Sequence, residues 1–278
     1  MKILVTGATG YIGRSVVSEL SKRLGHTIVA AGRDTQILEK IAVTYNIQKI
    51  EFDLCEKQHN WFDLVGEPDM LIHLAWGGLN DYNSLCHIEQ ELYAHYSFLK
   101  NMIENGLPHL SVAGTCFEYG KQEGCMCEYT PTAPVTSYGI AKDTLHQFLR
   151  LLQKNRVFSL KWLRLFYIYS EVPKPGSLFA QVDDAISRGE TSFNMSGGNQ
   201  LRDYSNLEDV ARSIVDAAMD ESNYRVFNIC SGRPVSVRNM VERQIKKRSV
   251  NMTLNLGFYP YLEYEPMAYW GKNSIHYV

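Results

Sequence analysis

Through residues 1–169, short apolar runs alternate with stretches of helical spacing. Lys2 to Thr6, Thr27 to Ala31, Ile50 to Phe52, Met70 to Leu74, Leu110 to Ala113 and Leu160 to Tyr167 read as strands. Between them the apolar positions fall on one side of a helix: Val16, Val17, Leu20 and Leu24, then Leu85, Ile88, Leu92, Phe98, Leu99 and Met102, then Leu145, Phe148, Leu149 and Leu152. Unbroken apolar runs suit strands covered on both faces, and spacings of three and four mark amphipathic helices. Six strands alternating with helices predict an α/β fold, a doubly wound parallel sheet. After Pro173, Pro175 and Gly176 the pattern changes to a helix from Phe179 to Gly189, a turn at Ser196–Asn199, a helix from Leu207 to Asp220 and a further strand from Arg225 to Ile229. The tail from Leu256 to Tyr269 is rich in tyrosine and proline and reads as an irregular layer over a site or a neighbour.

The first strand stops at Gly7-Ala8-Thr9-Gly10-Tyr11-Ile12-Gly13 and a helix follows. Strand, glycine turn and helix in that order form the context of a dinucleotide fingerprint, in which the backbone approaches a pyrophosphate and a helix N-terminus supplies amide donors. The second strand ends in Gly32-Arg33-Asp34. An arginine there accommodates a ribose 2′-phosphate, whereas an acid grips the ribose hydroxyls. Arg33 therefore favours NADP, and Asp34 keeps NAD open. Asp53 and Leu54 follow the third strand on the adenine side, and Leu74, Ala75 and Trp76 end the fourth, where a cofactor can lie against backbone. Residues 1–169, joined by about 204–232, are expected to form the NAD(P)-binding Rossmann domain, with 170–278 mainly a substrate-binding region.

A formal net charge of -2 offers no electrostatic case for nucleic acid or an anionic membrane. No apolar run reaches the length of a membrane span, and Lys2 begins a strand with no signal-peptide pattern before it. The six cysteines lack the spacing of a zinc site or a disulfide framework, so no metal is expected. The expected location is the cytoplasm, with reduced thiols.

Tyr138 and Lys142 stand four apart at the start of a predicted helix and so share a face. A charge ~4 Å from a phenol, at an effective dielectric of ~20, is worth ~4 kcal/mol. At ~1.36 kcal/mol per unit that lowers the phenol by roughly three units, within reach of proton exchange near neutral pH. Thr115, at the end of the fifth strand, puts a hydroxyl where open α/β sheets bind ligands.

The ordered set of Gly7, Gly10 and Gly13, Asp53-Leu54, His73-Leu74-Ala75, Gly114-Thr115 to Tyr119-Gly120 and Tyr138-x-x-x-Lys142 resembles the extended short-chain dehydrogenase/reductases, in the branch acting on nucleotide sugars. Leu163 to Tyr169, Gln200-Leu201-Arg202-Asp203-Tyr204 and Ser231 to Val237 resemble later markers of the same family. The resemblance implies that Tyr138 exchanges the proton and that Lys142 holds the nicotinamide ribose and acidifies the phenol. It further implies that Thr115 bonds the reacting sugar oxygen, with Cys116 beside it, and that Arg202 binds the diphosphate of a nucleoside-diphosphate sugar. A homodimer through the helices around 84–104 and 137–153 is implied as well.

Departures from the family pattern narrow the chemistry. Its 4,6-dehydratases carry Asp-Glu after the threonine, where this chain has Cys116 and Phe117, so water elimination is not expected. Glu91 replaces an asparagine often found on its helix, and Ser170-Glu171 replaces Gly-Pro. The expected activity is NADPH-dependent reduction of the 4-keto group of a nucleoside-diphosphate 4-keto-6-deoxyhexose, giving a deoxysugar donor. A C4 epimerase that retains NAD is the alternative, and a non-catalytic NAD(P)-binding regulator a second. Replacing Tyr138 with phenylalanine is expected to abolish turnover and leave dinucleotide binding intact; an unchanged rate would remove Tyr138 from the mechanism.

Overall fold

The computed structural model describes residues 1–56 and 58–273. Among them, seven strands form one parallel sheet: β1 (Lys2–Thr6), β2 (Thr27–Gly32), β3 (Gln48–Glu51), β4 (Met70–His73), β5 (His109–Thr115), β6 (Ser159–Leu165) and β7 (Tyr224–Ile229). Their spatial order is β7-β6-β5-β4-β1-β2-β3. The order reverses beside β1, and the crevice at the carboxyl ends of β1 and β4 is where a doubly wound sheet binds its ligand. Thr6, the last residue of β1, is in register with Ala31 on one side and His73 on the other.

Alternation of side chains along each strand divides the core in two. Ile3 and Val5 face one way and pack with Val16, Val17 and Leu20 of helix Tyr11–Ser21 and with Val210, Ile214 and Val215 of helix Leu207–Ala218. Leu4 faces the other way, in a cluster with Phe98, Leu99 and Met102 of helix Leu92–Glu104 and Leu145 and Leu149 of helix Ser137–Gln153. Both sheet faces are thus covered, which accounts for the unbroken apolar strands.

The strand expected over Leu160–Tyr167 divides into β6 and a short strand Tyr167–Tyr169 that leaves the sheet and pairs in parallel with Leu201–Asn206. Leu201–Asn206 also pairs antiparallel with Pro234–Ser236. Around this second sheet, helices Leu178–Ser187 and Val237–Lys247 share a smaller core with Phe193 and Met195. Asp203 fastens the layer. Its buried carboxylate accepts from the Ser231 amide at 2.7 Å, the Ser231 hydroxyl at 2.6 Å and the Gly232 amide at 2.9 Å.

One helix departs from its sequence pattern, and the tail follows its own. The helix expected from Ser84 to Glu104 begins as a π-helical turn, His87–Glu91, closed by Leu92 N donating to His87 O. One residue more per turn shifts the face that His87, Glu91 and His95 present, a change that apolar spacing does not record. The tail is indeed an irregular layer, and it ends in an extended piece, Tyr269–Gly271, lying parallel to Gly124–Met126. No helix among the described residues is long and apolar enough to cross a membrane.

Candidate active site

The glycine turn is shaped by close backbone approach. Gly7 has φ +70°, and a Cβ there would lie 2.7 Å from the Ala75 amide nitrogen. A Cβ on Gly13 would lie 2.1 Å from the Gly7 carbonyl oxygen. Helix Tyr11–Ser21 starts behind Gly10 with no side-chain cap and no acid in its first turn. Its leading amides therefore keep their donors for an anion, as a dinucleotide pyrophosphate requires. Thr9 packs against Gly32, where an added Cβ would lie 2.9 Å from Thr9 Oγ1. The Tyr11 hydroxyl donates to Ser170 Oγ at 2.8 Å, while Ile12, Leu54 and Leu74 lean on the two main cores.

At the end of β2, Arg33 lies 3.5 Å from Asp53 and lines a cleft with Glu51, Phe52, Asp53 and Glu56. The expectation of NADP treated this guanidinium as open to a phosphate, but a carboxylate already faces it. Asp53 is held below its usual range, first by the Cys55 amide and further by Arg33.

Thr115, Tyr138 and Lys142 converge, although they come from different elements. Thr136 caps helix Ser137–Gln153 by accepting from Gly139 N at 3.1 Å, and Tyr138 N donates to Tyr82 O at 2.9 Å. These bonds fix where the helix begins and bring the buried Tyr138 side chain near enough to Thr115 for the threonine hydroxyl to favour the ionised phenol. One turn on, Lys142 Nζ donates to the Ala113 carbonyl at 2.8 Å and lies 3.8 Å from the centroid of the Trp76 ring. Contact then runs from the glycine turn through Ala75 and Trp76 to Lys142 and Tyr138.

The electrostatics reverse one expectation. Burial pushes the Tyr138 phenol up, Tyr82 adds to the effect, and the Thr115 hydroxyl only partly opposes it. The same burial brings Lys142 down to about 7, against the pull of Glu118 and Glu91. An acidified phenol requires a water-softened dielectric and a short ammonium–phenol contact. Both groups are instead buried, and the ammonium is 5.9 Å from the phenol ring, bonded to a backbone carbonyl. A neutral phenol beside a buried lysine is suited to giving up a proton as charge develops on a substrate oxygen.

Two expected substrate contacts already have partners within the chain. Cys116 opens a 3₁₀ turn in place of an extended segment, and its thiol is buried under Tyr269, whose hydroxyl donates to Sγ at 2.8 Å. Burial raises that thiol to about 12, so it is a packing group and not an accessible nucleophile or ligand. Arg202 is buried and commits its fork to Glu265 at 2.8 Å and the Leu201 carbonyl at 2.9 Å. It does not stand open to a diphosphate, because the tail supplies a carboxylate first.

Sequence reasoning missed the aromatic wall around the phenol. Tyr82 stacks on Tyr138 with centroids 5.3 Å apart, Phe117 meets Tyr82 at 4.9 Å, and Tyr264 meets Phe117 at 6.3 Å. The tyrosine-rich tail was the one available signal. It missed Glu118 too, whose carboxylate accepts from Thr115 N at 2.8 Å and from Arg164 Nε at 2.7 Å.

A model of the NAD dependent epimerase/dehydratase family matches residues 3–230. A dTDP-6-deoxy-L-talose 4-dehydrogenase (NAD(+)) of Aggregatibacter actinomycetemcomitans is 31% identical over 272 residues, covering 98% of this chain and 99% of that protein. A dTDP-4-dehydro-6-deoxyglucose reductase of Escherichia coli is 23% identical, covering 86% and 79%. Among solved structures, the UDP-glucuronic acid 4-epimerase from Bacillus cereus, in complex with UDP-glucuronic acid and NAD, superposes with a TM-score of 0.85 at 22% identity, covering 99% of this chain and 91% of that one.

If Lys142 must be charged to act, kcat/KM for the dinucleotide, which reports groups of the free protein, falls as pH rises through about 7. The sign follows from the lysine's lowered value: the ammonium is present below it and lost above it. A profile that stays flat from pH 6 to 9 (about one unit below to two above) would contradict this.

Proposed function

The chain belongs to the NAD dependent epimerase/dehydratase family and is an NAD(P)-dependent oxidoreductase that modifies nucleotide sugars, and we propose that its reaction is reduction of the 4-keto group of a nucleoside-diphosphate 4-keto-6-deoxyhexose. The observation that carries this reading is the meeting of Thr115, Tyr138 and Lys142 beside the glycine turn, with the phenol held neutral. A bound nicotinamide supplies the hydride. Thr115 and Tyr138 offer hydroxyls to the sugar oxygen, and Tyr138 protonates that oxygen as it gains charge. The Tyr11–Ser21 helix start and the glycine turn hold the pyrophosphate, and Lys142 orients the ribose. Tyr82, Phe117 and Tyr264 form an apolar wall that suits the methyl group of a 6-deoxy sugar.

Arg33 can meet a 2′-phosphate, but Asp53, Glu51 and Glu56 share its cleft and repel one. NAD(H) and NADP(H) are therefore both accepted, with the carboxylates favouring NAD(H). The epimerase reading uses the same residues, and no feature of the site selects it. A reductase consumes one reduced dinucleotide for each hexose converted; turnover of a 4-hydroxy nucleotide hexose without added cofactor would select the epimerase instead.

Residues 1–169 with about 204–232 serve as the dinucleotide-binding part, and 170–278 mainly as the nucleotide-sugar part. The protein acts in the cytoplasm as a dimer. Helices Leu92–Glu104 and Ser137–Gln153 pack together, with Tyr96 and Phe148 rings 5.1 Å apart. Near them Tyr93, Ile140, Phe148 and Leu151 remain exposed. Sedimentation should give twice the mass of the chain; a monomer at every concentration would refute the dimer.

A further inference from the structure

A buried polar chain runs behind Trp76, and the proposed reaction does not use it. Thr6 Oγ1 is 2.8 Å from His73 Nδ1, His73 Nε2 is 2.7 Å from His95 Nδ1, and His95 Nε2 is 3.0 Å from Glu91 Oε2. Glu91 Oε2 also accepts from Gly77 N at 2.7 Å. The hydrogen bond from His95 leads in holding Glu91 down at about 2, so the carboxylate is an acceptor only and His95 carries its proton on Nε2. Burial keeps both histidines below their ordinary value, hence neutral. His95 Nδ1 must then accept from His73 Nε2–H, and His73 Nδ1 from the Thr6 hydroxyl. Every donor in the chain points toward Glu91.

The surroundings are built to keep Glu91 in place. The π-helical turn His87–Glu91 sets its direction, and such turns recur at functional sites. Gly77 leaves it room, since a Cβ there would lie 2.6 Å from Glu91 Oε1. The array reaches Lys142 through one aromatic ring. His95 stacks on the Trp76 indole with centroids 4.5 Å apart, and Lys142 Nζ lies 3.8 Å from the centroid of that indole. The Trp76 Nε1–H donates to His87 Nδ1 at 3.2 Å, which fixes the indole in its plane.

We propose that Glu91 is a positioning residue for Lys142. Its carboxylate, fixed by His95 and the Gly77 amide, holds the Trp76 face on which the ammonium lies and supplies negative charge that opposes loss of the ammonium's proton. The other titratable groups that bear on Lys142 are Tyr138 on its own helix, Glu118 on the 3₁₀ turn, His73 on β4 and His95 on the helix carrying Glu91. Of these, Glu118 is the other anion, and Arg164 at 2.7 Å shares its charge. A glutamine at position 91 could make the hydrogen bonds but not the field.

The inference rests on Lys142 serving the cofactor and the phenol as proposed above, and its test reads Lys142 directly. In ligand-free protein labelled at lysine Cε, the Lys142 resonance, assigned by its loss in Lys142→Arg, should titrate near about 7. In Glu91→Gln the midpoint should fall by about half a unit or more. The basic limb of kcat/KM should move down with it, with activity below the limb retained. An unmoved midpoint would overturn the proposal, as would activity lowered equally at every pH. Should Glu91→Gln not fold, Glu91→Asp keeps the charge and should titrate near the wild-type value; a fall of half a unit or more there would equally overturn it. Wild-type protein inactive on every nucleotide sugar would sink the reading of the site, yet leave the resonance arm interpretable.

Discussion

A buried ammonium is the constraint around which this molecule is arranged. Taking a charge out of water costs several kcal/mol unless partners replace the solvent. Lys142 finds a backbone acceptor in Ala113, an aromatic face in Trp76, and the fields of Glu118 and Glu91. A desolvated cation over an aromatic face is worth ~2 kcal/mol or somewhat more, less than the several kcal/mol that burying the charge costs. Glu118 is itself fully buried and needs Arg164, the Trp162 indole and the Thr115 amide. The alternation Arg164, Glu118, Lys142, Glu91 therefore ties β6, the 3₁₀ turn, helix Ser137–Gln153 and the π-helical turn into one electrostatic unit. Thr115 and Tyr138 take their places from it.

The tail completes the enclosure from the other side. Glu265 pairs with Arg202 and accepts from the Tyr167 hydroxyl at 2.9 Å, while Tyr269 covers Cys116 and Tyr264 extends the wall at Phe117. The consequence is a phenol with little water around it. In that setting desolvation outweighs a neighbouring cation, which is why Tyr138 rises and Lys142 falls when a water-screened calculation has the phenol fall. A neutral phenol favours proton donation, the direction a ketone reduction needs.

The parallel sheet was legible because both of its faces are covered, which writes Ile3–Val5 or Met70–Ile72 as uninterrupted apolar runs. The glycine turn was legible for a steric reason: Gly7 and Gly13 lie where no Cβ fits. The placing of Tyr138 and Lys142 on one helix face follows from helical periodicity and holds, although the ammonium bonds to the Ala113 carbonyl and makes no short contact with the phenol. What sequence could not supply were contacts between distant segments. Arg202 reads as an open fork until Glu265, 63 residues on, is folded against it. Cys116 reads as a neighbour of the site until Tyr269 covers it, and Glu91 reads as a departure from pattern until the π-helical turn aims it at Gly77. Each is decided by packing at long range, where local propensity says nothing.

The most direct test of the central claim follows the transferred hydrogen. Reduced dinucleotide carrying deuterium at both positions of nicotinamide C4 would be incubated with the protein and a nucleoside-diphosphate 4-keto-6-deoxyhexose, and the product sugar examined by mass spectrometry and NMR. The account predicts one deuteron at C4 of the product, with an equal amount of oxidised dinucleotide formed. A product without deuterium at C4, or no product while the dinucleotide remains bound, would contradict it.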